Sequence, residues 1–192
     1  MKEQPETWKR KTSKEIADCR VFKVREDFCE RSNDGVEHTF FVVENPDWVN
    51  VIALTKDEQV ILIKQFRHGT EEVILEIPGG MIDECEEPII AAARELVEET
   101  GFAAREIIPL GKSRPNPAIQ NNWIYHFLAL DCDKIKDTAF GEHESVVTKL
   151  VTLEELDQII ENEEITHSLV IAAFYKFKLK NLNEQIKIKP LM

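Results

Sequence analysis

Three glutamates, Glu95, Glu98 and Glu99, crowd the short stretch Arg94-Glu95-Leu96-Val97-Glu98-Glu99. On a helix their i, i+3, i+4 relation places all three on one face, with Glu95 and Glu99 about 6 Å apart along the axis. Like charges at that spacing repel by roughly a few tenths of a kcal/mol per pair. Either water screens them, the ordinary fate of a charge run, or a cation sits among them. Carboxylate oxygens without histidine or cysteine select hard cations, Mg²⁺ first and Mn²⁺ second. The chemistry such a site performs is on phosphates.

The surrounding residues specify a helix that can hold this geometry. Pro88 suits a first-turn position, Glu86 and Glu87 favour the positive dipole end, and Gly101 can end the helix in a left-handed conformation. Ile89, Ala93, Leu96, Val97 and Thr100 make the opposite stripe, whose burial turns the acids toward a cleft or toward solvent. Before the helix, Val73-Ile74-Leu75-Glu76-Ile77-Pro78-Gly79-Gly80 reads as a strand running into a glycine turn that lets backbone carbonyls approach a ligand.

From Gly80 to Phe102 the chain matches G-x5-E-x7-R-E-U-x-E-E-x-G-U at every fixed position: Gly80, Glu86, Arg94, Glu95, Glu98, Glu99 and Gly101, with Leu96 and Phe102 in the bulky apolar positions U. From average composition such a match arises by chance on the order of 10⁻⁷ of the time. This is the Nudix box, and the chain resembles Nudix hydrolases, most of which use Mg²⁺ to cleave a nucleoside diphosphate linked to another group. The resemblance implies that Glu95, Glu98 and Glu99 hold the metal with the backbone carbonyl of Gly79. It makes Glu98 catalytic along with Arg94, which orients the acids, and Glu86. A Nudix-type α/β/α sandwich with a mixed sheet is the fold it implies.

Three features beyond the box narrow the substrate. Lys64-Gln65-Phe66-Arg67 followed by Leu75-Glu76-Ile77-Pro78-Gly79-Gly80 resembles the ADP-ribose and nucleotide-sugar pyrophosphatase branch. There the residue matching Arg67 contacts a substrate phosphate, a task suited to a planar guanidinium, and Glu76 belongs to the same substrate wall. Pro117 stands about where that branch carries a proline after the box, although the loop around it, Arg114-Pro115-Asn116-Pro117-Ala118, departs from the branch's Ser-Pro-Gly form. In the polar loop Gly141-Glu142-His143-Glu144-Ser145, Glu144 is the candidate base for the attacking water, with Glu142 next; a plain acidic turn is the alternative. Trp48 and Trp123 either stack on a base or pack in a core or interface.

Composition fits one enzyme domain behind an N-terminal extension. The chain has 192 residues, 43% of them hydrophobic, without repeats or low-complexity blocks. Lys and Arg number 24 against 36 Asp and Glu, giving a net charge of −12 that repels polyanions. This argues against a nucleic-acid partner and for a small nucleoside diphosphate derivative. The charged N-terminal segment lacks the apolar core of a signal peptide, and no apolar run is long enough to span a bilayer, so a cytoplasmic location is expected. Cys19, Cys29, Cys85 and Cys132 form no C-x-x-C pair and read as reduced packing residues.

Apolar alternation predicts strands at residues 20–28, 37–44, 48–55, 59–66, 106–112, 123–130 and 146–151, and helices at 153–161 and 167–180. Thr152 and Glu155 form a capping box for the first of these two helices. Residues 1–44 are expected to be a strand extension that forms a homodimer, since Val21, Phe22, Val24, Phe28 and Phe40 to Val43 would leave an isolated hairpin with exposed aromatic surface; residues 45–192 are the Nudix hydrolase domain. The alternatives are hydrolysis of nucleoside triphosphates, dinucleotides or capped RNA, and a non-catalytic nucleotide-sensing module.

Overall fold

The computed structural model describes residues 4–138 and 145–182. By its contacts the chain divides into two compact units, Met1–Pro46 with Arg114–Asn122, and Asp47–Ser113 with Trp123–Met192. The loop holding Pro117 thus belongs to the first unit.

That unit contains an antiparallel three-stranded sheet, β1 (Trp8–Asp18), β2 (Lys23–Arg31) and β3 (Glu37–Glu44), in the order β1-β2-β3. The hairpin expected from alternation is the β2–β3 pair, with β2 starting three residues later than expected. β1 was not expected. Every one of its eleven residues is exposed, so its sequence, WKRKTSKEIAD, carries no in–out pattern; pairing with β2 along its whole length makes it a strand. Asp27 is buried in this sheet and accepts from Ser13 Oγ and from Arg25 Nε. Trp8 and Phe40 meet edge to face with centroids 5.1 Å apart.

The second unit is built on an eight-stranded mixed sheet. Its main path runs β11 (Val146–Val151), β5 (Val60–Arg67), β4 (Trp48–Thr55), β10 (Ile124–Lys134), β8 (Phe102–Ala103), with β6 (Glu72–Glu76) on β5, β7 (Gly79–Met81) on β4 and β9 (Glu106–Ser113) on β10. β4 and β10 are parallel; the other pairs are antiparallel.

The alternation of β4 sorts its side chains onto two faces. Val49, Val51 and Ala53 pack with Ala91, Ala92 and Leu96 of α1 (Pro88–Thr100). Ile52 and Leu54 pack with Leu156 and Ile159 of α2 (Leu153–Glu161) and with Val170, Phe174 and Phe177 of α3 (Ser168–Leu182). Both faces of the strand are covered, which is why six of its eight residues are buried and why it reads as a continuous apolar run. This is the α/β/α sandwich expected.

Local signals and outcome agree at α2. Thr152 Oγ1 accepts from Glu155 N and the Glu155 carboxylate accepts from Thr152 N, closing the capping box. In α1, Pro88 opens the helix and Gly101 ends it at φ 73°. Its buried stripe differs from the expected one: Ala91, Ala92, Leu96 and Thr100 are buried, whereas Ile89 is 41% exposed. Two small alanines let the helix lie close on the sheet. Its first turn contains no acid either, because Glu86 and Glu87 precede the helix and Glu87 makes no side-chain cap.

Candidate active site

A cavity of about 940 Å³ opens within the second unit between the start of β4, the β5–β6 hairpin, the glycine turn, the acid face of α1 and the start of α3. Trp48, Arg67, Glu76, Gly79, Glu95, Glu98 and Glu99 all line it. Two networks of hydrogen-bonded charged side chains stand at its walls, with Lys136 and Asp137 also in the lining.

The first is on α1. Arg94 donates through Nε and Nη2 to both oxygens of Glu86 at 3.0 and 2.9 Å, through Nη1 to Glu95 at 2.7 Å and Glu98 at 3.1 Å, and through Nη2 to the Met81 carbonyl at 2.9 Å. One guanidinium thus ties the loop before the helix to two of its acids and to the glycine turn. Hydrogen bonding to Arg94 holds Glu86 below the usual carboxylate range. Burial pushes Glu95 up despite Arg94, and pushes Glu99 up to about 8. Glu99 accepts from Gly79 N–H at 2.8 Å, which offsets only part of that.

The glycines owe their identity to this packing. A Cβ on Gly80 would collide with the Glu95 carboxylate, and one on Gly79 with the backbone of Val49 and Asn50. Close approach of protein to protein, rather than of backbone to ligand, requires them.

The second group is on β5, β6 and the segment entering α3. Glu76, 3% exposed, accepts from Arg67 Nε at 2.7 Å and Nη2 at 2.8 Å, and pairs with His167 Nδ1 at 3.2 Å. Although burial alone would raise it, these partners hold Glu76 down at about 2. Beneath the cavity, His126 is fully buried with Nδ1 2.7 Å from Asn50 Oδ1 and Nε2 2.7 Å from Ser113 Oγ; burial lowers it to about 4. Asn50 Nδ2 donates to the Leu169 carbonyl at 3.0 Å, fastening β4 to the start of α3. Trp48 Nε1 and Gln65 Oε1 are buried in the wall without a hydrogen-bond partner.

The residues fit a hard divalent ion. Glu95, Glu98, Glu99 and the Gly79 carbonyl offer oxygen only, and two of the carboxylates are sheltered from water with too little positive charge beside them. Among the described residues no three acidic, histidine or cysteine side chains converge as a ready-made cage. Glu95 and Glu98 are turned to Arg94 and Glu99 to Gly79 N–H.

Pro117 is not among the cavity's lining residues, and Glu142, His143 and Glu144 lie outside the described residues. Asn50 and His167 are not marked in the sequence. Each is a polar residue in or beside an apolar element, with no local pattern to mark it. The four cysteines form no disulfide, and among the described residues no helix is long and apolar enough to cross a membrane.

Residues 44–174 match the family model described as the NUDIX domain. An ADP-ribose pyrophosphatase of Bacillus subtilis (strain 168) is 32% identical over 140 residues, 72% of this chain and 76% of that protein. A methanol dehydrogenase activator of Bacillus methanolicus is 31% identical over 170 residues, 88% and 91% of the two chains. In fold, the chain is similar to a crystal structure of an ADP compounds hydrolase, with a TM-score of 0.81 at 24% identity over 94% of this chain and 96% of the other. With its complete box running from β7 through α1 to β8 and a matching family model over residues 44–174, the chain belongs to the Nudix family and is a Nudix pyrophosphohydrolase.

Proposed function

We propose that the chain hydrolyses the diphosphate linkage of ADP-ribose or of a nucleoside diphosphate sugar, giving a nucleoside monophosphate and a sugar phosphate. The observation that carries this reading is that one cavity joins a carboxylate wall short of positive charge to a preassembled Arg67–Glu76 pair. The names of relatives such as the B. subtilis ADP-ribose pyrophosphatase point the same way. A net charge of −12 speaks against capped RNA.

Glu95, Glu98, Glu99 and the Gly79 carbonyl would hold Mg²⁺, or Mn²⁺ in its place. When bound, such an ion neutralises diphosphate charge and lowers the pKa of a coordinated water. Arg94 keeps Glu95 and Glu98 in place, and Glu86 in turn keeps Arg94 in place. Arg67, with its plane set by two bonds to Glu76, receives a substrate phosphate. Trp48 offers an indole face to the nucleoside. Glu144 is the base for the attacking water, and Pro117 belongs to the sugar-binding loop. No nucleophile–base pair is called on, so water attacks directly.

A panel of ADP-ribose, nucleotide sugars, dinucleotides, capped RNA and nucleoside triphosphates, read by phosphate release after phosphatase treatment, tests the reading. ADP-ribose or a nucleotide sugar should be cleaved fastest, with activity abolished by EDTA and restored by Mg²⁺ or Mn²⁺ but little by Ca²⁺. Full activity in EDTA, or preference for a triphosphate, would overturn it.

The N-terminal sheet is read as a dimerisation element, residues 1–44 preceding a hydrolase domain of 45–192. The unit leaves Val21, Phe28, Phe40 and Phe41 exposed, Phe41 at 55%. Sedimentation at micromolar concentration should give a homodimer for the full chain; a monomer would sink this role.

A further inference from the structure

On the reading that the substrate is a nucleoside diphosphate derivative, we propose that His167 is a further substrate-binding residue: anchored to Glu76 through Nδ1, its imidazole donates from Nε2 to a phosphate oxygen. No motif marks this residue. It reaches the cavity because α3 begins beside β6.

His167 is fixed on three sides. Its carbonyl accepts from Val170 N at 3.0 Å and Ile171 N at 3.2 Å in the first turn of α3, so its backbone is set by the helix. Two residues on, the Leu169 carbonyl is held by Asn50. Its ring is held by Glu76 at 3.2 Å, and the side chain is one-third exposed, at the cavity wall.

The anchor determines which nitrogen is available. Glu76 also accepts from Arg67 and is ionised, so it can only accept, and Nδ1 must donate. Nε2, across the ring, is the atom left for a ligand. Facing a phosphate there, the ring lies between two anions and donates to both. Placement favours the same assignment. Arg67 and Glu76 are bound to each other, and His167 stands beside them opposite the acids of α1 in the same cavity. A diphosphate that reaches His167 need not be matched by Arg67 alone.

The test uses the full chain with saturating Mg²⁺ and ADP-ribose, or whichever panel member is cleaved fastest. His167→Asn keeps an amide N–H close to the Nδ1 position and lacks the far donor. The KM should rise about tenfold, equivalent to about 1.4 kcal/mol, with kcat within about twofold of wild type and an unchanged melting temperature. His167→Gln, whose amide reaches toward the Nε2 position, should recover most of the loss. If His167→Asn fails to fold, His167→Ala is read by the same split. An unchanged KM in the folded variant overturns the inference, as does a fall in kcat at constant KM, which would make His167 a base. If the wild-type chain cleaves no diphosphate derivative, the functional reading itself fails; if it cleaves one with a KM indifferent to His167→Asn, this inference alone fails.

Discussion

Glu76 and Glu99 share a cavity and a residue type, and both are sheltered from water, yet their surroundings push them in opposite directions. Glu76 has a bidentate arginine and an imidazole against its carboxylate and is held down at about 2. Glu99 has one backbone N–H, stands near Glu95 and is pushed up to about 8. The first carboxylate is fully paired, whereas Glu99 has no cationic side chain bound to it in place of the water it has lost. Burial costs both groups, and the number of cationic donors decides the outcome. One cavity thus sets an under-compensated pair of carboxylates, Glu95 and Glu99, beside a carboxylate that is fully paired, an asymmetry suited to the proposed binding of a cation at the first and of a phosphate at the second.

The largest effect that can break this contrast comes from Glu99. Glu99→Gln keeps the shape and an oxygen for Gly79 N–H but removes the charge, and turnover with Mg²⁺ should fall at least about a hundredfold. Without metal the same variant should be more stable. A carboxylate whose folded pKa is raised loses stability as pH rises from about 4.5 to about 8, and glutamine escapes that loss, by about 3 kcal/mol at pH 7. Calorimetric melts in EDTA and a steady-state assay check both halves. Wild-type turnover in the variant would remove Glu99 from the site.

Glu76→Gln should do the reverse. It strips Arg67 and His167 of their anion and should destabilise the fold by about 2 kcal/mol at pH 7. Because the folded pKa of Glu76 is depressed, its contribution is present above about 4.5 and is lost as pH falls toward 2. In denaturant titrations from pH 7 to pH 3 the gap between wild type and variant should therefore narrow toward the acid end. A gap that stays constant with pH would show that the loss is packing rather than charge.

The two walls were also unequally legible. The α1 wall is local: Glu86, Arg94, Glu95, Glu98 and Glu99 lie within fourteen residues, and helical spacing with Pro88 and Gly101 brings them together. The Arg67–Glu76 pair was half legible: both residues stand in one hairpin, but β5 and β6 pair Arg67 with Glu72 and Ile63 with Glu76, so strand register does not set the two opposite each other and only their side chains meet. His167 was not legible at all. It lies 91 residues from Glu76, and only the packing of α3 on the sheet brings the two within 3.2 Å.

The same division runs through the fold. β4, β11, α2 and the caps of α1 were readable because their signals are properties of a few adjacent residues: alternation, β-branching, a capping box, a glycine past the last turn. β1 was hidden because an exposed strand of charged residues gains its hydrogen bonds from a neighbour and nothing from its own pattern. By itself the sequence determined the family, the acid helix and the layers of the sandwich, since each follows from spacing along one chain segment. Only the tertiary structure decided which glutamate is neutralised and which is not. A carboxylate's charge state depends on the solvent excluded and the donors gathered around it, and those arrive from segments that no local pattern links.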